Sequence, residues 1–170
     1  VGKQCMSPHA CEYREHCGPA PAATPHGTPS VGARLRDFVR ALPFPRYYLD
    51  FETVAYAVPA FAGTRPYEPL PFQWSCHVET APGELRHAEF LDTSGEPPMR
   101  AVAESLLAAL GTEGPIVVYT DYERRVLDAL ANRYPDLAPR LASAAARLVD
   151  LHPPRSEEHT SELQSHHDLV

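Results

Sequence analysis

No apolar run in this chain reaches the roughly 18–20 residues that cross a bilayer as a helix, so nothing in it reads as a membrane span. The first residues, Val1-Gly2-Lys3-Gln4, offer neither an initiator Met nor the apolar core of a secretory signal. A start on Val, followed at once by cysteines, reads as a fragment of a longer cytoplasmic protein. Positive charge is scarce too: 15 basic side chains face 22 acidic ones, for a net charge of −7. A whole-chain field of that sign does not advertise a nucleic-acid binder. It does not exclude one, because metal-dependent nucleases gather acids at the catalytic centre and meet phosphate through a few local basic groups. Arg124, Arg125 and Arg140 are the candidates for such contacts.

What is present is ordinary for a globular protein, with 44% hydrophobic and 22% charged residues, and 170 residues hold one modest domain. The 19 prolines gather at 18–29, 59–71, 82–98 and 153–154, which read as linkers and loops. Apolar residues at 35, 38, 39 and 42, behind Ser30 as a cap, predict a short amphipathic helix. Residues 46–54, 72–80 and 85–91 read as three strands of an antiparallel meander, the last two joined by a Pro82-Gly83 turn. A helix over 98–110, ended by Gly111, leads to a short apolar strand at 116–119. Helices over 121–133 and 137–147, parted at Tyr134-Pro135, lead to a last strand at 148–151. The order β-β-β-α-β-α-α-β, without internal repeat, predicts an α/β, RNase H-like architecture, here truncated.

Asp50 and Glu52 stand two apart on the first strand, so both point to one face while Tyr47, Leu49 and Phe51 point to the other. Two carboxylates on one face repel unless a cation lies between them, and Mg²⁺ or Mn²⁺ prefers such hard oxygen ligands. The plain alternative is a solvent-facing acidic pair. A second acid, Glu123, lies just past the 116–119 strand. There Thr120-x-x-Glu123 also fits a capping box, in which Glu123 would bond the cap backbone. Asp121 is its rival as a ligand, and would favour the start of the helix in any case.

Four blocks in order, Tyr48-Leu49-Asp50-Phe51-Glu52-Thr53, 66–77 with its Pro71-Phe72-Gln73-Trp74-Ser75 core, Val118–Glu123 and Arg147–Leu151, resemble an uncharacterised bacterial domain family. That family is classed with the DnaQ-like, DEDD-type exonucleases of RNase H-like fold. The resemblance covers residues 45–154. It implies a 3′–5′ exonuclease that hydrolyses DNA or RNA with two Mg²⁺ or Mn²⁺ ions. Asp50 and Glu52 match its first motif and Glu123 the acid of its second, where Asp is the commoner residue. The third motif, a Tyr or His four or five residues before a final Asp, has no match before Pro154, so the chain is expected to be nearly inactive alone. Asp150 reads as ordering a loop or strand end. Gln73, His77 and Arg124 are candidate substrate-binding residues, and Trp74 either stacks on a base or packs in the core.

Cys5, Cys11 and Cys17 are spaced too regularly to pass over, and a chain without an export signal is not expected to pair them as disulfides. They resemble the cysteine cluster of RecB-like, CRISPR-adaptation-type nucleases, which implies a [4Fe–4S] site left incomplete here. Zinc, with His9 or His16 as fourth ligand, is the competing reading, and no metal at all the third. Cys76 reads as a buried thiol. Residues 155–165 resemble the in-frame translation of a common sequencing adapter, so 155–170 are set aside as a non-native tail. The expected organisation is therefore a remnant of an upstream domain at 1–20, a linker at 21–32, an exonuclease domain at 33–154, and the tail.

Overall fold

The chain divides between Gly32 and Ala33, and the computed structural model describes residues 32–152. Helix α1 (Ala33–Ala41) runs into strand β1 (Arg46–Val54). Between them the Arg46 guanidinium donates to the carbonyls of Arg40 and Leu42 at 2.7–3.1 Å, satisfying acceptors that a helix end leaves open. Arg46 is itself buried, and Glu79 Oε2 at 3.4 Å supplies its counter-charge. The expected helix began at Ser30, which lies outside the described residues.

Strands β2 (Leu70–Ala81) and β3 (Glu84–Leu91) complete the antiparallel meander. Helix α2 (Met99–Ala109), strand β4 (Ile116–Val118), helices α3 (Tyr122–Arg133) and α4 (Ala138–Ala146), and strand β5 (Leu148–Asp150) follow. The five strands form one mixed sheet in the order β3-β2-β1-β4-β5, with β1, β4 and β5 parallel. This is compatible with an RNase H-like α/β fold. At the start of β4, a side chain on Gly114 would strike the Pro45 carbonyl, and its φ of +86° also suits glycine. That close approach lets Tyr47 N–H bond Pro115 O at 3.0 Å and sets β4 beside β1.

Alternation along β1 divides the molecule into layers. Tyr47, Leu49 and Phe51 are buried in a core with Trp74 and Cys76 of β2. The helices close that core at helical spacing, through Val102 and Leu106 of α2, Val126 and Leu130 of α3, and Leu141 and Ala144 of α4. On the opposite face Asp50, Glu52 and His77 are exposed.

Strand β2 starts two residues earlier than the sequence suggests. Pro71 lies inside it, and the register with β1 shifts between Glu52 and Thr53, so that Glu52 opposes Gln73 while Thr53 opposes Pro71. Phe72 is the extra residue of a β-bulge, which accommodates a proline that cannot donate to the ladder.

Candidate active site

The three parallel strands place their carboxyl ends on one side of the sheet, where open α/β sheets characteristically bind ligands. Each of those ends carries acid: Asp50 and Glu52 on β1, Asp121 and Glu123 after β4, and Asp150 on β5. Asp150 pairs in register with Val118, the last residue of β4.

Asp50 and Glu52 share the exposed face of β1, as their spacing predicts. Their cross-strand neighbours on β2 are Ser75 and Gln73. Gln73 therefore stands beside Glu52, while His77 lies opposite Tyr48, further down the strand.

Glu123 is different. Its residue is only 4% exposed, in the first turn of α3. The capping box expected of Thr120 and Glu123 does not form. The Thr120 N–H, which Glu123 would have accepted, goes instead to Asp150 Oδ1 at 2.9 Å. The Thr120 hydroxyl accepts from Tyr122 N–H at 3.3 Å, and the residue before the helix, Asp121, makes no side-chain cap bond. Thr120 holds φ +106°, a sparsely populated conformation of the kind that clusters at functional sites.

The outcome for Glu123 is a buried carboxylate oxygen, Oε2, with no hydrogen-bond partner. Burial pushes its carboxyl above the usual range, only partly opposed by a bond from its own backbone N–H, and the negative charges of Asp50, Asp150 and Asp121 push it further. Those three acids therefore act on Glu123 through one local field. Asp121 itself is exposed and paired with Arg125 at 3.2 Å, an exposed bridge of little energetic weight.

Asp150 does what the sequence suggests and something further. Its Oδ1 takes Thr120 N–H and His152 N–H at 2.9 and 2.7 Å, so it orders both the β4–α3 turn and the end of β5. It also adds to the field at Glu123, which no local sequence signal indicates. A further tie, Tyr122 Oη to Thr53 Oγ1 at 2.5 Å, fastens the first turn of α3 to the end of β1.

An orphaned, buried carboxylate oxygen in the field of other acids fits a hard divalent cation, which satisfies the oxygen and offsets the repulsion. Among the described residues, no three or more His, Cys, Asp or Glu side chains are gathered closely enough to hold an ion as they stand. The acids share an electrostatic field and not yet a coordination sphere. Asp50 and Glu52 are exposed, so packing does not fix their side chains.

A family model described as Domain of unknown function (DUF2779) matches residues 47–167. The chain belongs to that family. The DUF2779 match takes in all five acids of the site and the strands that carry them. Comparison with curated proteins and with solved structures gave no match.

Trp74 is buried and donates from Nε1 to Ser105 Oγ at 2.9 Å, which makes it a core residue and not a stacking platform. Arg140 donates to the Leu107 carbonyl at 2.8 Å and so joins α4 to α2, leaving Arg124, exposed on α3, as the basic candidate nearest the acids in sequence. Cys76 is a buried free thiol, pushed up to about 11 by burial. Cys5, Cys11 and Cys17, with His9 and His16, lie outside the described residues, as does the 155–170 tail. No helix among the described residues is long and apolar enough to cross a membrane.

Proposed function

We propose that this domain is a metal-dependent 3′–5′ exonuclease module, acting on DNA or RNA in the cytoplasm, with Asp50, Glu52 and Glu123 as its Mg²⁺- or Mn²⁺-holding residues. The observation that carries the reading is Glu123 Oε2, buried without a partner at the carboxyl end of the parallel strands and within the field of Asp50 and Asp150. A carboxylate kept in that state is costly, about 1–3 kcal/mol for an unsatisfied buried acceptor, and suits a site completed by a cation.

When bound, a pair of such ions supplies a water nucleophile and stabilises the leaving 3′ oxygen. The chain's own contribution is positional. Asp150 and the Tyr122–Thr53 bond fix the turn that carries Glu123 against the end of β1. In this reading Gln73, the cross-strand neighbour of Glu52, meets the sugar-phosphate, and Arg124, exposed on α3, meets a phosphate.

A second reading, a nucleic-acid-binding module without turnover, is favoured by acids that, among the described residues, are not gathered into a ligand set. One assay separates the two. A protein carrying this domain with its third motif should release nucleotides from the 3′ end of an oligonucleotide only with Mg²⁺ or Mn²⁺. Asp50→Ala should then lose at least about 100-fold in rate, as expected when charge stabilisation at the reacting centre is removed. Equal rates for wild type and Asp50→Ala would contradict the proposal, and binding without any release would favour the second reading.

A further inference from the structure

A cavity of about 390 Å³ opens at the end of β1, and its lining includes Thr53, Tyr56, Phe61, Phe72, Asp92 and Glu96. Thr53 follows Glu52 directly, so the cavity adjoins the acidic site along one strand. Three aromatic rings form its apolar wall. Phe61 and Phe72 are half-buried, and Phe61 meets Tyr56 edge-on with ring centroids 6.2 Å apart. The β-bulge after Glu52 sets Phe72 there.

Its polar rim is acidic, and no basic residue lines it among the described residues. Asp92 is held in place, since its N–H bonds Phe72 O at 2.9 Å and its Oδ1 accepts Ser94 N–H and Oγ–H at 2.9 and 2.7 Å. The Ser94 bonds hold the Asp92 carboxyl below the usual range. Glu96 is tied to the same turn through its N–H to Ser94 Oγ at 3.1 Å.

Aromatic walls suit a flat ring. Carboxylates at the mouth, that of Asp92 fixed by Ser94, repel phosphate and accept hydrogen bonds from an amine, as Asp and Glu do from the exocyclic amine of cytosine. Such a cavity admits a base while leaving its phosphate outside.

We infer that this cavity is a base-selective subsite, taking an unpaired terminal base that bears an exocyclic amine, such as adenine or cytosine, in preference to uracil or thymine. The inference rests on the nuclease reading for the identity of its ligand. Binding of the base needs neither metal nor turnover, however, so the two can fail separately.

The test is titration of the isotope-labelled chain with adenosine, cytidine and uridine in the absence of divalent metal, followed by amide NMR. Adenosine and cytidine should shift the resonances of Thr53, Phe61 and Phe72, with uridine bound about fivefold or more weakly, the lower end of what one base-edge contact discriminates. The rim variants Glu96→Ala and Asp92→Ala, which remove the acceptors and whose folding the same spectra check, should when combined bring the three nucleosides to within about twofold of one another. Equal binding of uridine in the wild type, or shifts confined to other surfaces, overturns the inference. So does an absence of shifts at about 10 mM nucleoside, a weaker limit than the millimolar binding that even about −4 kcal/mol provides. If the nucleosides bind as expected but Mn²⁺ does not localise at Asp50 and Glu123, the subsite stands and the nuclease reading falls.

Discussion

Glu123 concentrates the chemistry of the site in one side chain. Its carboxyl is raised, so the folded protein holds that proton more tightly than the unfolded chain does. The associated stability is complete below the ordinary value of 4.5 and is lost as pH rises through the raised value. At neutral pH without metal, the wild type therefore carries a penalty that a neutral amide avoids. Glu123→Gln is expected to melt higher than wild type at pH 7, by roughly 4 °C for each ~1 kcal/mol relieved. The gap should close as pH falls below 4.5. Thermal unfolding in a chelator at the two pH values checks this, and a variant that melts lower at pH 7 contradicts it. Asp150→Ala has the opposite sign, because two backbone N–H groups lose their acceptor. A loss of about 1–3 kcal/mol by urea unfolding is expected, reduced where water reaches the exposed His152 amide. Alternation made Asp50 and Glu52 legible in the sequence. The Thr120-x-x-Glu123 pattern misled, because the donor it needs is claimed by Asp150, a residue 30 positions away.

The turn between β4 and α3 is held by contacts that a local reading does not contain. Tyr122 is bonded to Thr53 across 69 positions, and this fastens α3 to the strand that carries Asp50. Tyr122→Phe keeps the ring and removes the bond. Its expected cost is about 0.5–1.5 kcal/mol by denaturant unfolding, the net worth of one such bond. Mn²⁺ affinity is expected to fall several-fold with it, since Glu123 is the next residue; unchanged affinity would show that the tie serves stability alone. The helices themselves were legible because Val102, Leu106, Val126 and Leu130 recur at helical spacing. The start of β2 was not, since Pro71 looks like loop until the bulge opposite Glu52 and Thr53 explains it.

At the scale of the molecule, strand order decides where function can lie. The meander followed by two parallel additions brings Asp50, Glu123 and Asp150, drawn from three separate stretches of sequence, to one side of the sheet. The element order was readable, whereas the hydrogen bonds that join those stretches are not local properties of any of them. A net charge of −7 gives nucleic acid no general attraction, so binding should depend on a divalent cation. Affinity for a single-stranded oligonucleotide should be weak in chelator and return with Mn²⁺. Its dependence on monovalent salt should be shallow, reflecting about one or two phosphate contacts. Fluorescence anisotropy over a salt series measures both, and a steep slope in chelator would contradict this dependence by revealing an extended basic surface.

If Asp50, Glu52 and Glu123 hold the divalent cations, the first ion bound must lie between the end of β1 and the first turn of α3, beside Asp150. Mn²⁺ titration of the labelled chain tests it most directly, because the paramagnetic ion broadens amide resonances nearest to it. Early, selective broadening is expected around Asp50–Thr53, Thr120–Glu123 and Asp150, abolished by Asp50→Asn. Broadening that begins at other carboxylates, such as Glu104 or Asp128, or that persists unchanged in Asp50→Asn, would contradict it.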